Sequence, residues 1–350
     1  MVDFAGWSMP IQYSSIIDEH LATRKSIGMF DVSHMGRFAF YGDAIDIFLD
    51  RLTTRRVAGM EPGRIRYSLM TNELGGILDD VLVYYLPDKT GKPCFSMVVN
   101  ASNRRRIFDW LQSQIEDRDS IVIEDRTEQT AMIACQGPNA NSIVAEICEI
   151  EPDSLKYYAG TTSRVCGHQA VVSRTGYTGE DGCEIIVDNA SAVEIWDEIH
   201  HRALAVRGLS CGLAARDTLR LEAAMPLYGH ELELHINAAQ TDLSFAINLR
   251  GRKFVGSDAI LAAQKDSMLP RRIGLTIAGR RAARQGSEIQ CNGSLVGQIT
   301  SGTYAPTLQR SICMGYVQPQ YAEVGKTLQI DIRGTLHDAR VVPMPFYTRS

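Results

Sequence analysis

The chain has 350 residues, of which 45% are apolar and 22% charged, and a formal net charge of −5. This length exceeds the roughly 100–200 residues of one domain and suits two or three compact units; the composition excludes a disordered or low-complexity chain. The acidic balance argues against a nucleic-acid partner. No apolar run approaches the ~18 residues of a membrane span, and "MVDFAGWSMP" lacks the basic and apolar regions of a signal peptide, so a cytoplasmic protein is expected.

Ser15, followed by Asp18 and Glu19 and ended by Gly28, predicts a helix. The alternation at 37–42 predicts a strand, and the amphipathic 43–52 a second helix. Further strands are predicted at 66–71, 77–85, 95–99, 120–124, 130–135, 169–174 and 183–187, and helices near 101–115, 138–148, 190–205 and 212–224. Short turns join many of these strands, so the expected class is α+β rather than a doubly wound parallel sheet.

The expected domain division is 1–250, a linker at 251–269 that is partly helical over 256–266, and 270–350. Beyond 270 only short strand-like runs remain, at 272–277, 295–300, 312–317, 327–332 and 337–342, as in a small β-barrel or sandwich. This last part is basic: of 36 Lys+Arg, 14 lie from Arg250 onward, against 6 of 41 Asp+Glu. A small acidic ligand or an acidic protein partner fits that asymmetry, and solvated surface is the ordinary role of any single arginine. The eight cysteines form no CxxC pair and read as reduced core residues.

The stretch "GGILDDVLVYY" at 75–85 puts Asp79 and Asp80 in an apolar strand. Adjacent strand residues point to opposite faces, so the two cannot share a proton as a dyad. Asp80, Leu82 and Tyr84 fall on one face, and Asp79, Val81, Val83 and Tyr85 on the other. Hydrogen bonding to the Gly75-Gly76 turn is their alternative role. In "SRTGYTGEDGCEIIV" at 173–187 the glycines do not match a dinucleotide fingerprint. Glu184 falls in a buried strand and needs a partner, either an internal arginine or the donor edge of a ligand.

"CGLAARDTLRLEAAMPLYG" at 211–229 sets Arg216 and Arg220 at helical spacing. Arginine suits bidentate recognition of a carboxylate, and a structural role near the helix start is the alternative. Asn100 closes "FSMVVN" and suits a helix cap. The histidines form no HExxH or similar pattern, and no GxSxG or catalytic cysteine setting occurs, so no metal site is predicted.

Taken in order, "VDFAGWSMPIQY", "EHLATRKSIGMFDVSHMG", "GGILDDVLVYY", "VVNASN", "CQGPNA", "SRTGYTGEDGCEI", "GLAARDTLRLEAAMPLYG" and "ITSGTYAPTL" resemble the aminomethyltransferase (T-protein) family of the glycine cleavage system over nearly the whole chain. The resemblance implies a three-domain cloverleaf around a central folate channel, with two α+β domains interleaved within 1–250 and a C-terminal β-barrel. It implies transfer of the one-carbon unit of aminomethyl-lipoyl H-protein to tetrahydrofolate, giving ammonia and 5,10-methylenetetrahydrofolate, with no metal.

By the same resemblance Asp80 is the catalytic carboxylate and Asp79 the second choice. Glu184 is implied to accept the pterin's amino and ring N–H fork. Arg216, Asn100, Tyr84, Tyr67 and Tyr177 are implied to line the folate pocket, the Tyr84 hydroxyl bonding elsewhere. Arg280, Arg281 and Arg284 are offered as contacts for the folate tail or the acidic partner, with solvated surface as the alternative. The short segment that the family carries ahead of "MVDFAGW" is expected to be missing.

Residues 234–245 depart from the family: Leu234, Ala238, Gln240, Asp242 and Phe245 stand where Glu, Pro, Glu, Gly and Trp are usual, and Ala305 replaces a common Ser. The alternatives are a tetrahydrofolate-dependent transferase or demethylase acting on another small donor, or a non-enzymatic folate-binding module. The iron–sulfur maintenance relatives carry a "KGCYxGQE"-type motif that "AAMPLYGHELE" does not match.

Overall fold

The computed structural model describes residues 1–88, 90–116 and 120–349. A short hairpin, β1 (Val2–Phe4) and β2 (Trp7–Met9), precedes α1 (Ile16–Lys25). The Ser15 hydroxyl caps α1 by accepting the Asp18 N–H at 3.1 Å, satisfying a donor that the first helical turn leaves open. The helix ends before the expected Gly28: Ser26 donates its N–H to Ala22 O at 2.8 Å. Gly28 instead opens β3 (Gly28–Asp31), where a Cβ would meet Thr23 Oγ1 at 2.0 Å.

Next come β4 (Gly36–Gly42), α2 (Ile45–Leu52), β5 (Arg64–Thr71), β6 (Ile77–Pro87), β7 (Pro93–Val99), α3 (Arg104–Ser113) and β8 (Ile121–Asp125). They are followed by β9 (Thr130–Gln136), α4 (Ala140–Ala145), β10 (Gly160–Val165), β11 (His168–Ser173), β12 (Gly182–Asp188), α5 (Asn189–Ala205), β13 (Leu209–Ser210) and α6 (Leu213–Glu222). After α7 (Ser257–Ala263) the chain continues through β14 (Arg271–Ile277), β15 (Glu288–Cys291), β16 (Ser294–Ala305), β17 (Arg310–Val317), β18 (Thr327–Ile332) and β19 (Thr335–Val342).

One sheet has the order β5-β6-β7-β4-β8 and another the order β10-β11-β12-β9-β3-β13. In the second, only the short β13 pairs in parallel with its neighbour. Ile133, Cys135, Cys183 and Ile185 bury one side of this sheet together with Ile195, Ile199 and Ala203 of α5. The strands from β14 to β19 close into a six-stranded barrel around Leu275, Ile289, Ile299, Leu328, Ile330 and Val341. Closure leaves the barrel without a free strand edge.

The chain divides into two compact units that alternate along the sequence. The first holds residues 1–70, 79–176 and 180–215; the second holds 71–78, 177–179 and 216–350. β6 therefore begins in the second unit and carries Asp79 and Asp80 into the first, whereas α6 passes into the second at Arg216. Among the described residues no helix is long and apolar enough to cross a membrane.

Candidate active site

Asp79 is fully buried and Asp80 only half-buried, although they are neighbours in β6. Asp79 accepts three N–H groups: Asn100 N to Oδ2 at 3.1 Å, Asn100 Nδ2 to Oδ1 at 2.8 Å, and Asn103 Nδ2 to Oδ1 at 2.6 Å. Asp80 Oδ1 accepts from the same Asn100 Nδ2 at 2.7 Å, and its Oδ2 accepts the Tyr67 hydroxyl at 3.1 Å. Strand alternation predicts that the two side chains leave opposite faces, yet one amide joins them. Asn100 precedes a short 3-10 turn in extended conformation and its side chain makes no capping bond there; the amide is committed to the two aspartates.

Burial raises the pKa of Asp79, and the Asp80 charge raises it further; the bonds from Asn100 and Asn103 act in the opposite direction. Asp80 is also raised by burial, against the pull of Asn100 and Tyr67. Asp80 lacks the second upward push that a neighbouring charge gives Asp79, so its carboxylate is raised less. The pair thus has one sealed member and one that can be approached.

Glu184 lies on β12 and is 5% exposed. Thr175 donates its hydroxyl to Glu184 Oε2, and Ser173 Oγ lies 2.8 Å from Thr175 Oγ1. A carboxylate only accepts, so the Thr175 proton points at Glu184, and the Ser173 hydroxyl has both Thr175 Oγ1 and Glu184 O, at 3.3 Å, as acceptors. Tyr84 is also buried, and its hydroxyl completes no hydrogen bond. Burial and then the Glu184 charge raise the Tyr84 pKa; the Ser173 and Thr175 hydroxyls oppose that shift without reaching hydrogen-bonding geometry.

Tyr158, which the sequence did not single out, has φ 57°. Its pKa is raised by burial, by Tyr157 and by the charges of both Glu184 and Asp80. The charges of both carboxylates are therefore felt by one tyrosine within the first unit. A non-glycine residue at positive φ is an uncommon backbone state, but "KYYAG" itself carries no pattern that announces it.

In the second unit the Arg216 guanidinium lies over the Tyr177 ring, 4.7 Å from its centroid, and the Tyr177 hydroxyl donates to Pro226 O at 2.5 Å. Arg220, one turn along α6, has a different role. It is 1% exposed and donates to Glu231, Asp217 and Ser301, each at 2.8 Å. Against the penalty of burial, Arg220 and the Thr300 and Ser301 hydroxyls hold Glu231 below the usual carboxylate range. Arg280 packs over Tyr304, and Arg284 donates to Gly302 O at 3.3 Å; both arginines are exposed, as is Arg281.

The altered 234–245 segment also lies in the second unit. Leu234 and Phe245 are exposed, and Asp242 adopts φ 57°, a left-handed conformation that aspartate tolerates better than most residues. An open cavity of about 450 Å³ is lined by Glu146, Cys148, Cys166, Glu194 and their neighbours, and includes none of the predicted site residues. Among the described residues no group of three or more His, Cys, Asp or Glu has the geometry to hold a metal ion.

Residues 1–251 match the GCVT N-terminal domain and residues 271–348 the glycine cleavage T-protein C-terminal barrel domain. The class is thus a transferase of one-carbon groups, built as a discontinuous α+β region followed by a barrel. The chain belongs to the glycine cleavage T-protein family, the aminomethyltransferases. It is 42% identical over 352 residues to an aminomethyltransferase of Thermotoga petrophila, covering 100% of this chain and 94% of the relative. It is 40% identical over 347 residues to one of Chloroherpeton thalassium, covering 99% and 94%. The crystal structure of glycine cleavage system aminomethyltransferase T from Bartonella henselae superposes with a TM-score of 0.91 at 30% identity, covering 99% of this chain and 94% of that one.

Proposed function

We propose that this aminomethyltransferase takes its one-carbon unit from the aminomethyl-lipoyl arm of H-protein and passes it to tetrahydrofolate, with Asp80 as the carboxylate beside the reacting nitrogens. In this reading folate N5 attacks the methylene carbon that lies between the amine and the thioether sulfur. The carbon–nitrogen and carbon–sulfur bonds break, and closure by N10 gives 5,10-methylenetetrahydrofolate. The two hydrogens lost from N5 and N10 end on ammonia and on the dihydrolipoyl thiol, so the step balances without an oxidant.

Positive charge develops on nitrogen as N5 attacks, and a fixed carboxylate in a water-poor site stabilises it. The observation that carries the assignment is the contrast between sealed Asp79 and half-buried Asp80. Tyr67 and Asn100 hold Asp80 in place. Asp79, closed in by three N–H donors, is read as the support behind it.

Glu184 is proposed to accept the pterin's amino and ring N–H groups together, a bidentate pairing that a carboxylate favours. Tyr84, whose buried hydroxyl completes no hydrogen bond, gains a partner when a ligand fills the site. Arg216, stacked on Tyr177, is proposed to bind at the folate's aminobenzoyl-glutamate end. The reaction is proposed to take place in the cytoplasm. The test is formation of ammonia and methylenetetrahydrofolate from aminomethylated H-protein. Tight folate binding without turnover would favour a different one-carbon donor.

A further inference from the structure

The turn ahead of the two aspartates has every backbone polar group from Leu74 to Ile77 engaged. On its own side, Asn72 Oδ1 accepts the N–H groups of Leu74 at 3.0 Å and Gly76 at 2.9 Å. Gly75 N donates to Asn72 O, and Asn72 N donates to Gly76 O, both at 2.9 Å. The remaining groups are taken by one distant segment. Asn237 Nδ2 donates to Leu74 O at 3.1 Å, and Ala238 N donates to Gly75 O at 3.0 Å. Ile77 N is shared between Glu233 O at 3.2 Å and Ile236 O at 3.3 Å, and Ile77 O accepts the Tyr228 hydroxyl at 3.3 Å.

The segment is itself fixed. Asn237 Oδ1 accepts Ala239 N at 3.0 Å, while Gln240 Oε1 accepts Asn237 N at 2.9 Å, a reciprocal capping box. Contact is close enough that a Cβ on Gly76 would sit 1.9 Å from Leu234 O, and one on Gly75 would sit 2.5 Å from Asn237 Nδ2. Ala238 supplies an N–H that a proline at that position would lack.

A strand that slips by one residue exchanges its two faces. Here the slip would put Asp79 where Asp80 stands, two and three residues beyond the clamped Ile77. We infer that Asn237 and Gln240 are positioning residues that fix the register of β6 and thereby decide which aspartate faces the substrate. This rests on the proposed role of Asp80. Ala238 and Gln240 suffice for it, because the clamp needs only an N–H at 238 and a carbonyl-type acceptor at 240.

The test compares Asn237→Ala, Gln240→Ala and Gln240→Glu in the full chain by kcat at saturating tetrahydrofolate, folate Kd and amide hydrogen exchange at residues 77–81. Misplacement of a reacting group by about 1 Å can cost on the order of 10²-fold in rate. Asn237→Ala should lose kcat on that scale with folate Kd unchanged, and its 77–81 amides should exchange faster. Gln240→Ala should lose less, and Gln240→Glu, which keeps the acceptor, should recover the rate. Unchanged kcat would overturn the inference, as would kcat and folate affinity falling together or 77–81 exchange that does not change. If the unaltered protein gives no turnover with aminomethylated H-protein, the donor assignment fails separately, and the exchange measurement still decides whether the clamp holds the strand.

Discussion

Asn100 and Asp80 are joined by a 2.7 Å hydrogen bond from Nδ2 to Oδ1, and the same nitrogen reaches the neighbouring Asp79 Oδ1 at 2.8 Å. One neutral amide therefore stabilises the charged form of two carboxylates that burial pushes toward protonation. If Asp80 must be ionised to stabilise charge on the folate nitrogens, the acid limb of turnover reports its pKa. Asn100→Ala removes a donor that lowers this pKa, so the limb should move to higher pH. A pH profile of kcat that keeps its acid limb in place would show that Asn100 does not tune Asp80.

Asp79 makes a second pH effect measurable. Its folded pKa is raised above the ordinary aspartate value of about 3.9. The folded state then binds more protons than the unfolded one in the interval between those two values, so this group's contribution to stability falls as pH rises through it. Asp79→Asn removes that contribution. The stability of the unaltered protein relative to the variant should decline as pH rises from about 4 toward neutrality, measured by denaturant titration at several pH values; a rising difference would mean that the three N–H donors outweigh burial.

Much of this arrangement can be read in the chain, and the unread part has specific causes. The period-two alternation of "ILDDVLVYY" marks β6, and the double glycine before it marks a turn where a side chain has no room. β10 escapes a sequence reading because "GTTSRV" has a weak apolar alternation, and β15 because a four-residue strand offers too short a period to detect. Gly28 suggested a helix stop because glycine is common there, but its role is close approach to Thr23. No local pattern could reveal that Asn100 spans both aspartates, or that Asn237 grips a turn more than 150 residues earlier; these are properties of chain return. Arg216 and Arg220 looked equivalent by spacing, and only the burial of Glu231 beside one of them separates their roles.

Glu184 gives a prediction on binding rather than rate. Glu184→Gln replaces one accepting oxygen with a donor that opposes the pterin's N–H groups, an arrangement expected to cost about 1–3 kcal/mol. Folate Kd should rise by the corresponding one to two orders of magnitude, with a smaller change in kcat. Thr175→Val should weaken binding in the same direction by releasing Glu184 Oε2, and Thr175→Ser should restore it. Equal folate affinity in all three, by isothermal titration, would remove Glu184 from the pterin site.

The pair Arg220–Glu231 should affect stability before it affects chemistry. Removing one partner of a buried ion pair leaves a stranded charge and costs about 3–5 kcal/mol. Arg220→Met should accordingly lower Tm strongly. Arg216→Met, in a less buried setting, should lower it little and should weaken folate binding instead. The opposite ordering in thermal melts and folate titrations would exchange the roles assigned to the two arginines.

The most direct measurement is a paired comparison of Asp80→Asn and Asp79→Asn, with ammonia release from aminomethylated H-protein and folate Kd determined for each. The account predicts that Asp80→Asn loses turnover by orders of magnitude, as expected when a group that stabilises transition-state charge is removed, while its folate affinity stays close to that of the unaltered protein. Asp79→Asn should retain most of its turnover. If Asp79→Asn abolishes turnover and Asp80→Asn does not, the half-buried carboxylate is the wrong one and the central claim is contradicted.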